Sequence, residues 1–184
     1  MNWTFERAFD KARHIVSLPC DANQAEIIEN ATQEFDVGWV FFYQSSRFLK
    51  TGDAQEALVG NVPLFVSRKD GQASFIGYGK SIVESIEAYR ACGDPNAFEL
   101  PQLRLTGSSD GANKFQAVTL IRRYSRLSLG EAKHVIDACL RSNEAIVNTD
   151  DVASAKQLLI ALADVGFLAT VPYDRAALLR TNDR

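Results

Sequence analysis

The residues able to do chemistry are few and scattered. His14 and His134 are the two histidines; they fall in different halves of the chain, and neither belongs to an H-E-x-x-H motif. Cys20, Cys92 and Cys139 form no C-x-x-C pair, and three widely spaced cysteines read as small buried thiols rather than a disulfide framework or zinc site. Gly71, Gly77 and Gly79 sit in a hairpin pattern, not in a strand-to-helix phosphate loop, and no nucleophile elbow or P-loop is present. Paired acids, Asp150 with Asp151 and Glu34 near Asp36, read as helix caps and bends. A catalytic site needs a nucleophile, a base or a metal set held together. The pattern predicts a protein that is not an enzyme, holds no cofactor or metal, takes no small-molecule substrate, and works by binding.

Composition narrows the partners. At 46% apolar and 23% charged residues over 184 positions, the chain is in the ordinary globular range. The net charge of −3 gives no overall basic character for nucleic acid. No apolar run approaches the roughly 20 residues of a membrane helix. The opening MNWTFERAFDKARHIV alternates charged and apolar residues and lacks the continuous core of a signal peptide, which predicts a cytoplasmic protein without a membrane partner. Residues 1–92 carry 9 Lys+Arg against 12 Asp+Glu, whereas residues 93–184 carry 11 of each, so the acid excess lies in the first half. An acidic face would suit a basic protein partner.

Any binding residues must be positioned by an α+β scaffold in two small domains. Residues 4–18 space Phe5, Ala8, Phe9, Ala12, Ile15 and Val16 as one apolar helical stripe, stopped at Pro19. Residues 25–32 read as a strand and 33–36 as a polar bend. Residues 37–43 form an aromatic strand, with Val37, Trp39, Phe41 and Tyr43 on one side and Val40 and Phe42 on the other. A polar segment, an amphipathic turn from Asp53, and the turn residues Gly60, Asn61 and Pro63 follow. Residues 63–68 and 73–78 make two more strands around the Lys69-Asp70-Gly71 turn, completing an antiparallel sheet. Residues 80–91 form a helix, with Ser81 and Glu84 in a capping box. Residues 93–100 read as a linker.

In Trp39, Phe41, Tyr43, Ser45, Thr51-Gly52-Asp53, Leu58, Gly60-Asn61 and Pro63, residues 1–92 resemble the YrhB-like family of immunity protein 35, small bacterial domains found beside polymorphic toxins. The resemblance implies an antitoxin that binds and occludes a cognate protein toxin without catalysis. The surface expected to meet it is the end of the aromatic strand and the following loop, with Asp36, Tyr43, Gln44, Ser45, Arg47, Asp53 and Glu56. A tight inhibitor places an aromatic centre inside a charged rim. Trp39 and Phe41 are assigned to the core, and Asn61 to a turn.

Residues 101–173 read as β-α-α-β-α-β, followed by a polar tail at 174–184 in which 176–179 suggest a short helix or a frayed end. Gly111-Ala112-Asn113-Lys114, the run from Leu127 to Lys133, and Ala163-Asp164-Val165-Gly166-Phe167 are similar to the C-terminal domain of the bacterial ribosomal stalk protein. In that family the exposed face of the first two helices recruits translational GTPases. The corresponding contacts here are Lys114, Phe115, Val118, Arg122 and Lys133; Thr119 stands where the family has a second lysine, and Ser128 where it has a turn glycine. This resemblance implies the alternative function, a chaperone-like or translation-factor-binding adaptor.

Overall fold

A computed structural model describes residues 2–17, 25–142 and 144–174. Cys20 and residues 175–184 of the expected tail lie outside the described residues. The fold is α+β with antiparallel sheets, and the chain divides into two compact units between Asn96 and Ala97.

The first unit is built on the strands β2 (Gln33–Phe35), β3 (Gly38–Phe41), β5 (Leu64–Ser67) and β6 (Ala73–Phe75), in the order β2-β3-β5-β6. Every residue of β3 and β5 is buried, which a strand covered on one face only would not require. The reason is a helix on each side. Helix α1 (Phe5–Ser17) lays Ala8, Ala12 and Val16 against Trp39, Phe41, Leu64 and Val66. Helix α3 (Ile82–Cys92) puts Ile86, with Ile82 and Tyr89, against Val40 and Phe65 on the opposite face. The expected capping box starts α3: Ser81 Oγ accepts from Glu84 N at 3.3 Å, and Ser81 N donates to the Glu84 carboxylate at 2.8 Å. Phe5, 41% exposed, still stacks on Phe9, Trp39 and Phe41 with centroids 5.8 to 6.3 Å apart.

Several local expectations are corrected. Residues 33–35, read as a polar bend, are the edge strand β2; an edge strand with polar outer residues carries no apolar signal. The strand expected over 25–32 is β1 (Ala25–Ile27) alone, followed by a single 3₁₀ turn at Glu29–Ala31. The aromatic run breaks at Phe42. Tyr43–Ser45 is a separate strand, β4, paired with β1 in its own two-stranded sheet. Ser46–Thr51, without an assigned element in the sequence reading, is the helix α2, and the amphipathic turn from Asp53 is a 3₁₀ turn at Ala54–Glu56. Strand β6 stops at Phe75, where the Asn96 amide takes over the edge: its Nδ2 donates to Phe75 O at 2.8 Å and its Oδ1 accepts from Gly77 N at 2.9 Å.

The second unit runs β7 (Phe98–Glu99), β8 (Gln102–Ser108), α4 (Lys114–Tyr124), α5 (Leu129–Ser142), β9 (Ala145–Asn148), α6 (Val152–Asp164), β10 (Phe167–Thr170) and β11 (Tyr173–Asp174). A three-stranded sheet ordered β10-β8-β9 packs Leu103, Leu105, Val147 and Phe167 against Ala117, Ile121, Ile136, Leu158 and Leu162 of the three helices. The segment read as a linker holds β7, which pairs with β11 through Phe98–Asp174 and Glu99–Tyr173; a two-residue pairing between distant positions leaves no local pattern. Asp174, placed at the head of the tail, is a strand residue.

Candidate functional site

The segment after β4 is fixed by its own polar side chains. Ser45, fully buried, accepts from Phe48 N at 3.0 Å to cap α2, and its hydroxyl donates to Glu56 O. Gln44 spans to Leu58 with both ends of its amide: Nε2 donates to Leu58 O at 3.1 Å, and Oε1 accepts from Leu58 N and, at 2.7 Å, from Ser45 N. Asn61 Nδ2 donates to Tyr43 O at 2.7 Å, and Tyr78 Oη donates to Asn61 O at 3.3 Å. Thr51 Oγ1 accepts from Asp53 N, and Asp53 caps the 3₁₀ turn by accepting from Gln55 N at 2.9 Å. These bonds tie β4, α2, the 3₁₀ turn and the turn residues up to Asn61 into a defined platform.

The expected partner residues therefore divide. Ser45 is buried and Gln44 half-buried, and both side chains are bonded to the backbone of the loop that follows. Arg47, Asp53 and Glu56 come together on the platform, with Arg47 paired to Glu56 at 3.4 Å. Tyr43 is half-buried in β4. Asp36 is not brought to them. It lies at the β2–β3 turn, before the start of β3, whereas the platform follows that strand's far end, and its carboxylate pairs with Arg90 of α3. Val59 stands 94% exposed between the anchored Leu58 and Asn61, and a lone valine in a turn has no periodicity to mark it.

Removing the Gln44 clamp tests the platform directly. Gln44→Ala leaves Leu58 N and O without their partners, and is expected to lower stability by about 1–3 kcal/mol. Faster amide exchange over residues 56–61 than over β3 in the same variant would locate the loss.

In the second unit, Lys114, Val118 and Arg122 follow one another at intervals of four along α4, which aligns them on one face. With Phe115, Thr119, and Leu129, Lys133, Ile136 and Asp137 of α5, they line a groove of about 520 Å³. Phe115 is 82% exposed, whereas Val118, at 7%, forms part of the floor. Asn113 caps α4 by accepting from Gln116 N at 3.0 Å; Ser128 and Glu131 form the reciprocal cap of α5. All five residues taken from the stalk resemblance thus share one concavity with three cations at its wall.

The shifted carboxylates are structural. Asp36 is held below the usual range by the Arg90 guanidinium, Asp70 by the backbone N–H of Gln72, Glu131 by Ser128, and Asp151 by the backbone N–H of Ser154. A folded-state pKa below the unfolded value gives stability present at neutral pH and lost as the pH falls through the lowered values. Thermal unfolding midpoints should then be flat near neutrality and drop below about pH 4. Among the described residues, no group of three or more His, Cys, Asp or Glu is placed to hold a metal ion, and no helix is long and apolar enough to cross a membrane.

A sheet covered by a helix on each face, with a braced loop after its central strand, is similar to known proteins. Residues 6–91 match the Immunity protein 35 family. The match covers α1 through α3 and ends before the second unit begins. Over 86 residues, 47% of this chain and 87% of the relative, the chain is 29% identical to the uncharacterized protein YrhB of Escherichia coli strain K12. No solved structure matches. The immunity-protein-like unit thus carries the platform, and the groove between α4 and α5 lies outside the matched region.

Proposed function

We propose that the chain is a bacterial immunity protein, acting in the cytoplasm as an antitoxin that binds a cognate toxin and occludes it without catalysis. The observation that carries this reading is the Immunity protein 35 match over residues 6–91. The platform supports it physically. Binding by a preformed surface avoids the entropy of ordering a loop, and the Ser45, Gln44 and Asn61 bonds have already ordered this one. Arg47, Asp53 and Glu56 supply a charged rim, and Tyr43 lies in the strand that leads into it.

The test is co-expression of the chain with the polypeptide encoded by each neighbouring gene, in a host whose growth reports toxicity. Growth restored by the full chain, together with a stoichiometric complex on purification, is the expected result. Toxicity unchanged by the chain, with no complex, would overturn the reading.

The α4–α5 groove favours a second function for the other unit, an adaptor that docks a translational GTPase or another protein bearing an acidic helix. Lys114, Arg122 and Lys133 surround an apolar floor, which complements an amphipathic helix with acidic flanks. Reversing charge in Arg122→Glu with Lys133→Glu should abolish capture of purified elongation factor. Undiminished capture would remove this second reading.

A further inference from the structure

We infer that the tip of the platform, Leu58 to Asn61, is the docking point of the first unit, with Val59 as a plug that enters an apolar socket on a protein partner. The inference rests on the immunity reading for the partner's identity, and on the structure for the place.

Single apolar residues on a surface are ordinary and need no explanation. Val59 differs in how it is held. A valine on a free loop could fold back onto neighbouring apolar surface and escape water. Here that escape is blocked on both sides. Leu58 is clamped through its N–H and its carbonyl by Gln44. Gly60 turns the chain at φ 81°, a left-handed conformation that glycine adopts freely. Asn61 is anchored by its side chain to Tyr43 O and by its carbonyl to Tyr78 Oη. The side chain between them is left 94% exposed. Three polar side chains, those of Gln44, Asn61 and Tyr78, from three parts of the unit keep one valine out in water.

Tyr78 completes the patch. Its ring is 73% exposed, and its hydroxyl lies 3.8 Å from where a Cβ on Gly60 would stand. Tyrosine is among the side chains at which binding energy concentrates in protein interfaces, and the valine beside it adds apolar area to the patch. The charge nearby specifies the rim. Residues 51–67 contain Asp53 and Glu56 and no lysine or arginine. Glu56 is matched by Arg47, whereas Asp53 makes no ion pair among the described residues. The partner's socket therefore fits an isopropyl group, presents an apolar wall to Tyr78, and carries a lysine or arginine toward Asp53. A convex tip of two side chains encloses no small molecule and is too small to anchor on a lipid surface, so the occupant is a protein.

The experiment measures the affinity of the full chain for the purified toxic polypeptide that the co-expression test identifies, comparing wild type with Val59→Ser and Val59→Asp. Thermal unfolding of both variants should match wild type, because so exposed a side chain contributes little to the core. Loss of the buried isopropyl group is expected to weaken binding at least about tenfold for serine, and about a hundredfold for a carboxylate forced into an apolar socket, mainly through faster dissociation. Wild-type affinity in both variants would overturn the docking assignment while leaving the immunity reading intact. No binding by wild type would overturn both. If sedimentation of the chain alone shows self-association that Val59→Asp abolishes, the occupant is a second copy, and the assignment to a different protein fails.

Discussion

Alanine at Gly38 is expected to remove more than about 3 kcal/mol from the first unit, a large share of the roughly 5–15 kcal/mol that keeps a domain folded. Gly38 opens β3 and pairs with Ser67 of β5, in the middle of the sheet between α1 and α3. A Cβ added there would stand 2.2 Å from Val66 O, and 2.8 and 3.0 Å from two ring atoms of Phe65. Two of these three contacts are closer than carbon approaches anything without displacing it, and the nearest is backbone. Relief would require β3 and β5 to part, which breaks their ladder and unseats Trp39, whose ring lies beneath the Arg68 guanidinium at 4.1 Å. Urea unfolding followed by tryptophan fluorescence reads this as a lower midpoint. Gly52→Ala is the control: its backbone is left-handed, at φ 71°, but an added Cβ meets nothing within 4 Å. It should cost only about 1 kcal/mol. A Gly38→Ala variant no less stable than Gly52→Ala would show that the sheet gives way more easily than its packing implies.

The same contrast explains which parts of this fold were legible in the sequence. The helices were, because their signals are local. Stripes at helical spacing, the Ser81–Glu84 box and the Asp151 cap all lie within a few residues of what they control. The central strands β3 and β5 were legible as apolar runs, although the run alone did not show that both faces are covered. The edge strand β2 and the short pairings β1–β4 and β7–β11 were not, since two or three residues give no period and their partners lie far along the chain. The groove residues on α4 were named through the stalk resemblance; the spacing of 114, 118 and 122 says only that they share a face. The platform was only half legible. Polar residues after an aromatic strand read as surface, yet Gln44 and Ser45 turn inward to backbone atoms 11 to 14 residues away, a distance over which no sequence pattern operates. Asp36 was grouped with them by proximity in sequence, but β3 runs between and separates it from them.

Phe167→Ala should have its largest effect in the second unit, lowering that unit's stability by about 3–5 kcal/mol. Phe167 begins β10 and is fully buried, in one apolar cluster with Leu103 and Leu105 of β8, Ala117 and Ile121 of α4, and Leu158 and Leu162 of α6. Truncation removes contacts to every layer at once, and close-packed neighbours relax only partly into the space left. The strand also pairs along its four residues with β8. Its register against β8 already shifts between Leu168 and Ala169, and the preceding Gly166 cannot accept a side chain without meeting Ala112 and Ser109. Native-state hydrogen exchange should show α4, α6 and β8 losing protection together, while β3 and β5 in the first unit keep theirs. The consequence for function separates the two proposed surfaces. Helix α4 forms one wall of the α4–α5 groove, so loosening its base should abolish binding there, whereas the Val59 platform is built entirely from first-unit bonds and should bind its partner as before. Equal loss of both activities in Phe167→Ala would mean that the immunity-protein-like unit depends on the second unit for its stability, and that its binding surface cannot be assigned to residues 6–91 alone.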